Sequence, residues 1–433
     1  MDGFANRDAF RIPNDIAAII FDPASYARED VIFPAYKWLR EHQPLGLAQV
    51  EGYDPIWLVT RHADVMEIER NQAVFHNADL NPVLNTVSSD NFTRSINNGS
   101  VITVAALTHM DPPDHTRLRA ITSNFFLPAN IRKLEGQIRE LAKEAVEHFL
   151  AFDGECDFVK DFALMYPLHV VMTLFGVPRE DEPKMLKLTQ EFFGAHDPEE
   201  QRPDVQETSP EAAAQMFFSC LQDFYAYFSS FTQDRRRNPR DDLMSHIANT
   251  KFDGEYISDW EANGYYVTIA TAGHDTTSSS VASGLLGMLR YPEQFDKVKA
   301  DVALIPGLVD EAIRYASPIR HFMRNTAAPT ELRGIKFAPM ERFMLCYPSA
   351  NRDEAVFTDP EKFDIERKPN RHLAFGYGPH MCLGQHLAKL EMRILFEELL
   401  PHLASVELAG EPRYTVTNFA GGLKSLPVRF KKV

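Results

Sequence analysis

Residues 375–384, Phe-Gly-Tyr-Gly-Pro-His-Met-Cys-Leu-Gly, set Cys382 among glycines and a proline, directly before the amphipathic run QHLAKLEMRILFEELL. A tight glycine loop that opens a helix leaves backbone N–H groups unpaired at the positive end of the helix dipole. That setting favours an anion and is expected to lower a thiol pKa, so Cys382 reads as a thiolate. A lone cysteine before a helix is more often structural. The chemical reading rests on the whole pattern Phe-x-x-Gly-x-His-x-Cys-x-Gly, complete here in Phe375, Gly378, His380, Cys382 and Gly384. The glycines let backbone approach a flat partner closely, and a thiolate held in this way suits a fifth ligand to haem iron, where it favours O–O cleavage.

Three other segments carry types and spacings with chemical meaning. The run YVTIATAGHDTTSSS (266–280) places Gly273 and a cluster of Thr and Ser inside a helical pattern, where they are poor interior residues. Their hydroxyls can bond carbonyls one turn back and open the helix locally. Within the run, Asp275-Thr276 puts an acid beside an alcohol. Glu311 and Arg314 stand at i, i+3 on one helix face, a pair that would be worth little if solvated. His115 and Arg119 stand at i, i+4 on a helix opened by Asp111-Pro112-Pro113, and both suit carboxylates.

Together these segments resemble the cytochrome P-450 family of haem-thiolate monooxygenases, and the resemblance runs through essentially the whole chain. It implies a mainly α fold with small β-sheets, residues 1–433 as a single domain, and one long central helix over the haem. It implies Cys382 as the axial ligand of haem b iron, with Phe375 covering the sulfur and Gly376 and Gly384 in the cofactor loop. His115, Arg119, Arg324 and His380 would then hold the haem propionates. In the long helix Ala272 and Gly273 would face haem and substrate, Thr276 would supply the oxygen-side hydroxyl and Asp275 would deliver protons. His274 is expected to turn from the iron, held by neighbours. Glu311, Arg314 and Arg367 would brace the cysteine loop.

The resemblance also assembles a substrate pocket from residues 100–107, Ala272, Thr276, Ile319, Phe322 and Phe419. Such an apolar lining suits a hydrocarbon or terpenoid. Segments 152–158, 166–178, 271–280, 347–354 and 384–392 look close to the bacterial α-terpineol-hydroxylating branch. They imply hydroxylation of a compact hydrophobic molecule, a monoterpenoid or an aromatic hydrocarbon, with dioxygen and two electrons. A peroxide-driven peroxygenase and a non-enzymatic haem or small-molecule sensor are the alternatives. The Asp275-Thr276 pair favours dioxygen, and the sensor would want an output domain. No flavin or ferredoxin domain is expected within the chain, so electrons would come from a separate iron–sulfur ferredoxin and its reductase. Arg117, Lys389 and Arg393 are the candidates for a basic docking patch beside the cysteine.

The elements that must position these residues are mostly helical. Apolar residues recur at helical spacing over 131–152, 166–174, 184–193, 211–231, 261–290 and 383–400. Taken as one helix, 261–290 would span about 45 Å. The run IWLV (56–59) follows a turn and reads as a strand, and short strands broken by Gly and Pro follow residue 332. The polar, proline-bearing stretch 194–210 reads as a mobile lid loop.

The 433 residues are 44% hydrophobic and 24% charged, ordinary for a globular protein. A net charge of −16 argues against nucleic acid. Four scattered cysteines suit a reducing cytoplasm, with one ligand, Cys382, and three core residues. The N-terminal stretch lacks both a signal peptide and a membrane span, and a monomer is expected.

Overall fold

The computed structural model describes residues 7–201 and 210–433. Helices dominate, and eight of them place the residues discussed here: α1 (Asp114–Ser123), α2 (Glu135–Leu150), α3 (Glu182–Phe193), α4 (Pro210–Arg237), α5 (Asp259–Ala272), α6 (Asp275–Arg290), α7 (Ile305–Ala316) and α8 (Gln385–Leu399). None of the described helices is long and apolar enough to cross a membrane.

The expected helix over 261–290 is present as two helices in line, α5 and α6, parted at Gly273–His274. It starts two residues earlier than the apolar pattern, because Ser258 and Glu261 form a reciprocal cap. The Ser258 hydroxyl accepts from the Glu261 N–H (3.2 Å), and the Glu261 carboxylate accepts from the Ser258 N–H (3.2 Å). The two halves belong to different cores. Tyr266 and Ala270 of α5 pack with Phe224 and Phe228 of α4 and Leu188 of α3. Val281 and Leu285 of α6 pack with Ala142 of α2, Ala312 of α7 and Leu395 of α8. The interruption therefore falls where the rod passes from one cluster to the other.

A five-stranded sheet forms the other layer: β1 (Leu45–Ala48), β2 (Ile56–Val59), β3 (Phe75–His76), β4 (His321–Thr326) and β5 (Arg342–Cys346), in the order β1-β2-β5-β4-β3. β5 runs parallel to β2, with Phe343 opposite Trp57, and antiparallel to β4, with Phe343 opposite Arg324. Alternate residues leave the sheet on opposite faces: Leu58 and Met344 enter one apolar cluster, Trp57 and Phe343 another. Burial on both faces explains why IWLV reads as an unbroken apolar run.

The other sequence expectations are met with shifted ends. The pattern over 131–152 divides into a short turn and α2, and 211–231 extends to Arg237 in α4. Of the stretch 194–210, residues 202–209 lie outside the described residues. Its described part is held down. Asp197 is fully buried and receives Lys424 Nζ at 2.9 and 3.0 Å. Cys220 and Cys346 are core residues as expected, but Cys156 is only half-buried, on a short edge strand.

Candidate active site

The cysteine loop follows a long irregular stretch and coils back on itself before α8. The Cys382 N–H donates to Phe375 O (2.8 Å), the Met381 N–H to Gly378 O (3.1 Å) and the Gly376 N–H to Leu373 O (2.9 Å). Gly378 has φ +67°, and a Cβ there would stand 2.6 Å from Glu69 O, so both conformation and space demand glycine. Cys382 is open on the side of a cavity of about 280 Å³. Contrary to the sequence expectation, its thiol pKa is raised. Burial outweighs the backbone N–H groups of Gly384 and Gln385 and the nearby Arg119, all of which pull it down. The helix start and Arg119 favour a thiolate here, but by themselves they do not secure one in this protein environment.

The opposite wall of the cavity is the α5–α6 junction, which contributes Ala272, Gly273, Thr276, Thr277 and Ser280. Side chains take up the carbonyls of this turn. The Thr276 hydroxyl donates to Ala272 O (3.0 Å), the Thr277 hydroxyl to Gly273 O (3.5 Å), and His274 Nδ1 faces Ala270 O (3.3 Å). The hydroxyl-rich sequence thus opens the helix as expected. Asp275, by contrast, does not line the Cys382 cavity. Its Oδ1 stands 2.9 Å from His274 Nε2, and it lines a second cavity behind the helix. His274 is fully buried, turned from Cys382 and held by Thr189 Oγ1 at 3.2 Å.

Four donors converge on one rim of the cavity. Arg119, Arg324 and His380 line it, and the His115 ring packs on that of His380, with centroids 4.0 Å apart. Arg119 donates to Met381 O (2.6 Å) and Asn77 Nδ2 meets His380 Nε2 (2.9 Å). Burial and the neighbouring guanidinium groups lower His115 to about 4 and His380 to about 2, so both are neutral. His115 Nε2 and Asn77 Oδ1 are buried without a protein partner. Two guanidiniums and two imidazoles gathered on one rim, with a buried nitrogen left over, fit a group bearing two carboxylates. The glycine loop and thiol fit its flat metal-bearing body, so a haem suits the residues present.

Below the cysteine loop the brace is complete. Glu311 is fully buried and accepts from Arg314 Nε (2.8 Å), Arg314 Nη2 (2.7 Å), Arg367 Nε (3.2 Å), Asn370 Nδ2 (3.0 Å) and the Asp364 N–H (2.9 Å). Arg314 also donates to the carbonyls of Asn351, Pro360 and Lys362.

Several expected residues sit elsewhere. Ile319 and Phe322 line the cavity, but Phe419 does not. It lies behind Phe322, ring centroids 5.5 Å apart, because the C-terminal turn packs against the sheet rather than into the cavity. Of residues 100–107 only Leu107 reaches the lining, and Val104, Ala105 and Ala106 are core. The proposed docking cations are already paired with acids: Arg117 with Glu261, Lys389 with Asp310 (2.8 Å), and Arg393 with Glu135 (3.0 Å) and Glu397 (2.7 Å). Two carboxyls at the site escaped the sequence reading. Glu69 receives the Tyr347 hydroxyl (2.7 Å), and burial pushes it up to about 7. Glu391 of α8 lines the cavity and is raised well above its usual range by burial. Neither sits in a motif; only their place on apolar helix faces could have marked them.

The site thus has a thiol on a glycine loop facing an opened helix across a cavity, the arrangement of a haem-thiolate protein. The chain belongs to the cytochrome P450 family, whose profile matches residues 73–411, and it is a monooxygenase of that family. It is 56% identical to cytochrome P450-terp of a Pseudomonas species over 421 residues, covering 97% of this chain and 98% of that one. It is 33% identical to a methyl-branched lipid omega-hydroxylase of Mycobacterium tuberculosis over 410 residues, covering 92% and 91%. The crystal structure of CYP108D1 from Novosphingobium aromaticivorans superposes with a TM-score of 0.89 at 42% identity, covering 98% of this chain and all of that one.

Proposed function

We propose that this monooxygenase hydroxylates a compact hydrophobic substrate, a monoterpenoid or an aromatic hydrocarbon, on a haem b held by Cys382. The observation that carries the reading is a cavity with the Cys382 thiol on one wall and the opened Ala272–Thr276 turn on the other. When bound, the haem supplies activation of dioxygen by its thiolate-ligated iron.

The chain's residues supply the rest. Arg119 and Arg324 bind the two carboxylates as cations, and His115 and His380 add ring N–H donors. The N–H groups of Gly384 and Gln385 stabilise the Cys382 sulfur as an anion. Leu107, Val171, Leu174, Ile269, Ile319 and Phe322 line the distal space, exclude water and orient a hydrocarbon skeleton by shape. The likeness to the α-terpineol-hydroxylating branch supports that size class over the methyl-branched lipid and steroid substrates named for relatives near one-third identity. The Thr276 hydroxyl faces the cavity and passes protons inward, and Asp275 behind it holds them on the outer side. Electrons come from a ferredoxin and its reductase, and the protein acts as a cytoplasmic monomer.

Titration of the ferric enzyme with monoterpenoids and aromatic hydrocarbons tests the substrate class, a low- to high-spin shift being expected for a member of one set. The reduced, CO-bound form is expected to show the Soret position of thiolate ligation, lost in Cys382→His. A histidine-type band in the parent enzyme removes Cys382 from its role.

A further inference from the structure

Behind the α5–α6 junction, on the side away from Cys382, lies a second cavity of about 150 Å³. The two cavities share the helix as a wall. Thr276, Thr277 and Ser280 face the first; Asp275, Ser278 and Ser279 face the second. The same cluster of hydroxyls therefore presents one polar row to each side at helical spacing. Glu200 also lines the second cavity, with Lys160, Thr415 and Lys424. Its place is built rather than incidental. Glu200 folds over the end of α3 so closely that a Cβ on Gly194 would stand 2.4 Å from Glu200 Cβ and 2.7 Å from its Oε2. The cation nearest it is engaged elsewhere, since Lys424 Nζ bonds Asp197 (2.9 Å) and Glu199 (2.9 Å). No described residue hydrogen-bonds the Glu200 carboxyl. The cavity is large and polar enough for several waters.

The inner end of this space is a cluster of polar side chains around His274. Thr189 gives its hydroxyl proton to Leu186 O (2.9 Å), so its oxygen is an acceptor towards His274 Nε2. His274 Nδ1 faces Ala270 O, a second acceptor. Asp275 Oδ1 stands 2.9 Å from the same Nε2, so the carboxyl and the Thr189 oxygen share one ring nitrogen at the inner end of the cavity.

We propose that the second cavity is the proton inlet of this monooxygenase and that Glu200 is the acid that recharges Asp275 through it. The reaction consumes protons together with dioxygen and electrons, and in the inlet only protons move. Glu200 releases its carboxyl proton to cavity water, water passes one to Asp275, and Glu200 takes another from solvent. Handing the proton on towards Thr276 requires the Asp275 carboxyl to leave His274 Nε2 and rotate about the start of α6. The surroundings suit Glu200 to the task. Burial first, then the charges of Asp197, Asp275 and Glu199, raise it to about 8, with Lys424 opposing. Lys160 lines the same space, and Arg413 is taken up by Glu199 (2.6 Å). Glu200 is thus protonated at neutral pH and close enough to solvent pH to reload.

This inference rests on the relay reading of Asp275 and Thr276, and the variants separate the two. Product formed per dioxygen is measured against pH in the holoenzyme. The parent is expected to lose coupling as pH rises through about 8, where Glu200 loses its proton. Glu200→Gln is expected to be about tenfold slower in product formation at neutral pH, to lack that alkaline limb and to show a larger solvent isotope effect. Glu200→Asp is expected to restore a limb. Gly194→Ala, which displaces an intact Glu200, is expected to behave as Glu200→Gln. Substrate spin-shift affinity and thermal midpoint are expected to be unchanged in Glu200→Gln. Independently of turnover, the resting protein should show a protonated-carboxyl infrared band that titrates near pH 8 and is missing from Glu200→Gln. An unchanged band, or an unchanged rate and limb beside an impaired Asp275→Asn, overturns the inlet. A fully coupled Asp275→Asn overturns the relay reading itself.

Discussion

At the scale of residues, the two faces of the α5–α6 turn divide the labour of oxygen chemistry. Thr276 stands on the cavity side with its oxygen tied to Ala272 O, and Asp275 stands behind. If the hydroxyl passes protons inward, Thr276→Ala should leave substrate binding intact and let dioxygen be consumed without product. The ratio of product to dioxygen is expected to fall at least about tenfold, with peroxide or water making up the difference. Thr276→Ser, which keeps the hydroxyl, should recover most of the coupling; equal coupling in the Ala variant removes the role. The cysteine loop was legible because its chemistry demands particular types at fixed spacings. The direction of Asp275 was not. A continuous helix drawn through 261–290 carries no knowledge of a break at Gly273–His274 or of His274 capturing the neighbouring carboxylate.

At the scale of elements, the site depends on how α7, the segment that follows β5 and the cysteine loop are clamped together. Glu311 has no exposure and gathers donors from Arg314, Arg367, Asn370 and the Asp364 backbone. Removing it would leave two guanidinium groups buried near one another with no counter-charge. Glu311→Ala is therefore expected to cost about 3–5 kcal/mol, read as a lower denaturation midpoint, and to release haem on gel filtration while the far-ultraviolet signature of helix remains. A variant that keeps its haem and its midpoint contradicts a bracing role. This part was readable through the family resemblance, because Glu-x-x-Arg alone reads as a solvated pair and Arg367 lies in a charged stretch that does not mark it as buried. Element ends were less readable. The Ser258–Glu261 cap lies outside the apolar periodicity, and the second core that separates α5 from α6 is assembled from α3 and α4, far away in sequence. The lining by 100–107 was overdrawn for the same reason: an apolar run does not say which of its residues face a cavity and which face a core.

At the scale of the whole molecule, the net charge of −16 sets a problem for docking an acidic electron donor. The three cations first chosen for that task are each neutralised by a carboxylate of the chain. The turn after Pro128–Ile131, a segment that packs against α8, offers two that form no ion pair with a described residue. Arg132 and Lys133 are exposed, and among the described residues Lys133 meets Asn130 Oδ1 (2.8 Å), an uncharged partner. Against a repulsive overall field, a small unpaired basic patch can steer a partner only at short range, within a Debye length of about 8 Å at physiological salt. The expectation follows that Arg132→Glu combined with Lys133→Glu raises the KM for a ferredoxin at least about tenfold at low salt, mainly through slower association. The parent and the variant should converge as salt is added, and peroxide-supported turnover, which needs no donor, should be unchanged. Reversing Lys389 instead would break its pair with Asp310 and should affect stability more than the salt dependence of electron delivery. An identical ferredoxin KM in parent and Arg132/Lys133 variant across the salt series would place the donor on another face.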